Sequence, residues 1–172
     1  MAYRASQLQP GQIILTTQSA TEPPWDHLFD DLIQWFSGGY FNHSALVGEG
    51  HLVEQIDPVT DSPLDKYEAN GWVFTVAGLT PLQRHDTLRW AESRRGQPYG
   101  IRELLIDGLY YGLHIPALLR DNPRDVTCSA FVANAFARGG HRPITAQPIP
   151  APLSLAFSPL LLGPRPWDPA TP

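Results

Sequence analysis

Two spacings of apolar residues divide the chain. Residues 11–17 (Gly11, Gln12, Ile13, Ile14, Leu15, Thr16, Thr17) follow Pro10 and are short, apolar and β-branched, which predicts an interior strand. Residues 25–36 instead place Trp25, Leu28, Phe29, Leu32, Ile33 and Phe36 at helical spacing, between Pro23-Pro24 and Gly38-Gly39. Residues 42–48 and 51–56 are two short runs around Glu49-Gly50, the signature of a β-hairpin. Residues 57–70 are polar, carry Pro58 and Pro63, and predict a loop with a short turn at 64–67. A further strand is predicted over 72–77. Thr80-Pro81 then opens a helix that runs to Arg95 and is ended by Gly96. After a turn at residues 97–100, a helix is predicted over 101–113. The apolar run to Leu119 that follows suits core packing or the wall of a cleft.

The hairpin has chemical consequences. With Glu49-Gly50 as a two-residue loop, Gly48 faces His51, Ala45 faces Glu54 and His43 faces Ile56. Side chains alternate along a strand, so His43, Ala45, Val47, Leu52, Glu54 and Ile56 share one face. His43 and Glu54 become diagonal neighbours whose side chains can meet. A three-residue loop would move His51 to that face instead. Asn42 and Ser44 flank His43 and point to the other side. His27 and His85 lie among polar residues and read as solvated.

Residues 127–138 carry their own start and stop. Asp125 or Thr127 can cap the N-terminus, and Gly139 suits the left-handed position after the last turn. Phe131, Val132, Ala135 and Phe136 give a buried face. Cys128, the only cysteine, falls in the first turn, where unpaired N–H groups and the helix dipole favour an anion. A thiolate forms most easily there, and the thiolate is the nucleophile. A buried structural cysteine is the competing reading.

Composition narrows the class. A chain of 172 residues, 42% hydrophobic and 17% charged, suits one globular domain, 1–172. Nine of the eighteen prolines fall in residues 141–172, which predicts an extended Pro-rich segment packing on the domain, loose after Trp167. The net charge of −5 disfavours nucleic acid as a partner. No run is long enough for a transmembrane segment, and residues 1–10 lack the apolar stretch of a signal peptide. A single cysteine excludes an internal disulfide. Cytoplasmic synthesis is expected, with export by a route lacking a cleaved signal left open. Nothing fixes the oligomeric state.

A cysteine hydrolase needs a thiolate, an imidazole to move the proton and a third polar group to orient the imidazole. Cys128, His43 and Glu54 supply them, without a metal or a cofactor. Their order along the chain is similar to that of the circularly permuted branch of the NlpC-like, papain-fold cysteine hydrolases, which also holds the lecithin retinol acyltransferase-like proteins. Five stretches carry the resemblance, in the permuted order: Gly11-Gln12-Ile13-Ile14-Leu15, Asn42-His43-Ser44-Ala45-Leu46-Val47, Leu52-Val53-Glu54, Gly96-Gln97-Pro98-Tyr99 and Cys128-Ser129-Ala130-Phe131-Val132. Gln12 stands where the family usually has Asp, and Ala130 where many permuted bacterial members have Glu.

The resemblance implies an α+β fold of the circularly permuted papain-like type, a small antiparallel sheet against helices. It implies Cys128 as nucleophile, His43 as general base and acid, and Glu54 as the residue orienting His43. The backbone N–H of Cys128 would belong to an oxyanion hole, and Tyr99 would bind oxyanion or substrate. The implied activity is cleavage of an amide bond through an acyl-enzyme, with a peptide or acyl substrate such as a peptidoglycan stem peptide. An acyltransferase or thioesterase on lipid or acylated substrates is the alternative, and a non-catalytic module binding a small amine or peptide is the second.

Overall fold

The computed structural model describes residues 4–17, 40–56, 58–98, 127–146 and 150–163. The helices expected over 25–36 and 101–113, the end after Trp167, His27 and Tyr99 lie outside them. The described part is α+β. Six strands, β1 (Ile13–Thr16), β2 (His43–Val47), β3 (Leu52–Gln55), β4 (Val59–Ser62), β5 (Gly71–Val76) and β6 (Leu161–Leu162), form an antiparallel sheet in the order β4-β3-β2-β1-β5-β6. Helices α1 (Pro81–Glu92), α2 (Cys128–Arg138) and α3 (Pro152–Ala156) accompany it.

β1 is central because it is apolar at every turn of the pleat. Ile13 and Leu15 face the large core with Leu46, Val53, Phe74 and the helices, whereas Ile14 faces a smaller cluster with Ala45, Val47, Leu52 and Tyr67. A strand buried on both faces has no place for alternation of polar residues, which is why 13–15 reads as a continuous apolar run. α2 contributes Phe131, Val132, Ala135 and Phe136 to the large core, all fully buried. Each large side chain there contributes about 1.5–3 kcal/mol of transfer free energy. This face fixes α2 against β2 and β3 and so fixes its N-terminus.

α1 starts as expected: Thr80 and Gln83 form a reciprocal capping box with Pro81 in the first turn. The end of α2 departs from expectation. Gly139 has φ −74°, and Gly140, with φ +78°, is the left-handed residue. Gly139 is required for another reason: a Cβ there would lie 2.1 Å from Thr87 Oγ1 and 2.7 Å from Thr87 N on α1. Only a glycine lets the two helices approach this closely.

Two further expectations are corrected. Residues 59–62, read as loop, form β4, paired with β3 from Gln55↔Val59 to Leu52↔Ser62. Pro58 and Pro63 flank the strand rather than interrupt it, and an edge strand tolerates polar Thr60, Asp61 and Ser62. The Pro-rich tail is not simply extended: Pro152 sits in the first turn of α3, where its missing N–H costs nothing, and Leu161–Leu162 adds β6 to β5.

Candidate active site

The hairpin has the two-residue loop. Ala45 faces Glu54, Leu46 faces Val53 and Val47 faces Leu52, and Gly48 N–H donates to His51 O. Gly50 takes φ +79°, as the turn demands. In this register His43 Nε2 lies 2.9 Å from Glu54 Oε2. Glu54 is fully buried and His43 nearly so, with 15% of its side chain exposed.

Glu54 accepts from two further donors besides His43. Lys66 Nζ donates to Oε1 at 2.7 Å, and the Tyr67 hydroxyl donates to Oε2 at 2.7 Å. Both come from the turn at residues 63–70, between β4 and β5. Burial works against its ionised form. His43 and Lys66 outweigh that and hold the carboxyl well below its ordinary 4.5. An ionised carboxylate only accepts, so His43 Nε2 carries a proton, and its other ring nitrogen, Nδ1, is left for the thiol.

Cys128 begins α2 after the N-cap Thr127 and is buried. Burial alone would raise its thiol. The His43 imidazolium, a hydrogen bond to His43, the Ser129 hydroxyl 3.8 Å from Sγ, and the backbone N–H of Ser44 together hold it below 9.0. Conversely, burial disfavours the charged His43, but the Cys128 thiolate, followed by Glu54, raises it from 6.5 to about 10. Thiolate and imidazolium thus favour one another, and the dipole of α2 adds to the stabilisation of the thiolate.

Three of the four expected site residues thus meet: Cys128, His43 and Glu54. Tyr99, the fourth, lies outside the described residues. His51 does not join them. Its Nε2 lies 3.6–3.7 Å from Glu92 and Asp61 on a different face, beside Arg95. His85 is exposed, as expected of a solvated side chain. Sequence reasoning missed Lys66, Tyr67, Ser129 and the backbone of Ser44. Ser44 points its side chain away from His43, but its N–H serves the sulfur. A lysine and a tyrosine in adjacent positions of a predicted turn carry no local signal of such a role.

No protein-family model matches the chain, and no curated protein sequence matches it significantly. Among solved structures it is similar to the crystal structure of the metalloprotein yiiX from Escherichia coli O157:H7, at 17% identity, with 92% of this chain and 97% of that chain covered and a TM-score of 0.64. A likeness at this identity speaks to the fold alone. Among the described residues no three His, Cys, Asp or Glu side chains are grouped to hold a metal ion. Glu54 already accepts from three donors, one of them an ammonium. Among the described residues no helix is long and apolar enough to cross a membrane.

Proposed function

We propose that this chain is a cysteine hydrolase of the circularly permuted NlpC-like type, cleaving an amide bond through a thioester acyl-enzyme. The observation that carries the reading is the hydrogen-bonded line Cys128–His43–Glu54, with the thiol lowered and the imidazole raised. The order of the parts supports the permuted papain-like fold: histidine strand, acid strand, then a helix opening on the cysteine, all against one antiparallel sheet.

The chemistry follows from the protonation state. The Cys128 thiolate attacks the carbonyl carbon, and a C–S bond forms as the carbonyl electrons move to oxygen. The N-terminal N–H groups of α2, beginning with that of Cys128, have no intrahelical partner and would stabilise the oxyanion. His43 gives its Nδ1 proton to the leaving nitrogen as the C–N bond breaks, leaving a thioester and a neutral imidazole. His43 then takes a proton from water as the water attacks the thioester. Collapse expels the thiolate, releases the acid and restores the ion pair. Glu54 keeps the ring in one orientation and one tautomer throughout, as an orienting carboxylate does.

The proposed substrate is a bacterial cell-wall peptide. Peptidoglycan digests treated with wild type and with Cys128→Ala and compared by mass spectrometry test it: new cleaved stem peptides are expected from wild type only. Unchanged muropeptides would remove the cell-wall substrate, and acyl groups transferred to an alcohol or lipid acceptor would move the assignment to acyl transfer.

A further inference from the structure

The turn at residues 63–70 reaches under the sheet and places two adjacent side chains on one buried carboxylate. Lys66 Nζ is 2.7 Å from Glu54 Oε1, and Tyr67 OH is 2.7 Å from Glu54 Oε2. Lys66 Nζ also stands 5.0 Å from the centroid of the Tyr67 ring, and that ring is 5.8 Å from the ring of His43. Glu54 is fully buried, whereas Lys66 keeps 22% of its side chain in solvent. The cation therefore retains part of its hydration while its charge faces the site.

A buried carboxylate next to an imidazole has two neutralising options. It can stay ionised beside an imidazolium, or it can take the proton and leave the imidazole neutral. Counting charges decides between them. Thiolate, imidazolium, Glu54 carboxylate and Lys66 ammonium sum to zero. Without Lys66 the same set carries one uncompensated negative charge out of water, and proton uptake by Glu54 or by the thiolate relieves it. We infer that Lys66, with Tyr67, is a positioning residue of the reactive site: it keeps Glu54 ionised and oriented, so that the proton given up by Cys128 rests on His43.

Other charges do not take this role. The groups facing Glu54 are His43 from β2, Lys66 and Tyr67 from the turn and, through His43, Cys128 from α2. Its partner across β4 is the neutral Thr60. Asp61 is paired with Arg95, and Glu68 on the same turn accepts from the backbone N–H of Ala5. The lowered carboxyl of Glu54 agrees with this arrangement.

The inference rests on Cys128 and His43 being the reactive pair, and the test separates the two. Thiolate absorbance near the ultraviolet edge and the rate of Cys128 alkylation by iodoacetamide are followed across pH in wild type, Lys66→Met, Lys66→Gln and Lys66→Arg, with folding checked by circular dichroism. Loss of the cation raises the thiol pKa both directly and by letting Glu54 protonate. Met and Gln are expected to move the titration up by about half a unit to one unit. Arg restores it. Lys66→Gln keeps a donor for Oε1 without the charge and serves if Met does not fold. A lysine with a merely structural role would lower the melting temperature and leave the titration where wild type has it; that outcome overturns the inference. A wild-type thiol titrating at the ordinary value of ~8.5 overturns the reactive pair itself and this inference with it.

Discussion

Two clusters of the same chemical parts sit a few residues apart on the sheet. One is His43, Glu54 and Lys66; the other is His51, Asp61 and Arg95. In the first, the histidine is 2.9 Å from a carboxylate with no exposed surface. In the second it is 3.7 Å from a carboxylate that is 41% exposed, and Arg95, 42% exposed, takes that carboxylate at 2.9 Å. The strand pleat makes the difference. Glu54 turns into the protein towards Tyr67, while Asp61 on β4 turns out towards the end of α1. Water screens the outer cluster, so its ion pairs contribute little. In the inner cluster Glu54 has no exposed surface, so its charge must be met by protein groups, and His43, Lys66 and Tyr67 meet it.

That contrast can be broken by mutation. The largest effect is expected at Glu54. Glu54→Gln keeps the shape but removes the charge and replaces one of the two acceptor oxygens shared by His43, Lys66 and Tyr67 with a donor, and should lower kcat by about 100-fold or more. It should also cost about 3 kcal/mol of stability, as removal of one partner from a buried pair does. Steady-state kinetics and urea denaturation measure the two.

The pH dependence of stability comes next. His43 is raised, so its contribution is complete below 6.5 and is lost as pH rises to about 10. Cys128 is lowered, so its contribution is complete above 9.0 and is lost as pH falls. Between 6.5 and 9.0 the two slopes oppose one another, and a plateau is expected, with decline on both sides. Glu54, also lowered, steepens the acid decline below 4.5. Denaturation free energies from pH 4 to pH 10 check this, and Cys128→Ala should abolish the plateau.

Smaller effects belong to the outer cluster. Asp61→Asn should change stability by within about 0.5 kcal/mol and leave the thiol titration in place. High salt should act the same way: 1 M sodium chloride, with a Debye length of ~3 Å, weakens the outer pairs and spares the inner ones. A thiol titration displaced by either treatment would show that the two clusters are electrically one.

The legible part of this protein is the part set by local periods. Strand alternation and a two-residue loop put His43 and Glu54 on one face without any tertiary contact. The α2 pattern put Cys128 in a first turn. The start of α1 is legible in Thr80 and Pro81, while the reciprocal bond of Gln83 is added by the structure. What misled was also local: the prolines at 58 and 63 disguised β4, and Gly139 looked like a left-handed stop when it is a contact surface for Thr87.

The chain by itself therefore determined the three candidate side chains and the elements that bear them, because each depends on neighbours within a turn or a hairpin. Only the tertiary structure decided that the cysteine meets the histidine, and that Lys66 and Tyr67 complete the acid. Lys66 and Tyr67 stand 12 and 13 residues from Glu54. Their approach depends on how a turn folds beneath a sheet, and no periodicity of the chain encodes that. Burial then fixes the charge of Glu54, because a carboxylate with no exposed surface is held only by the donors that the fold brings to it.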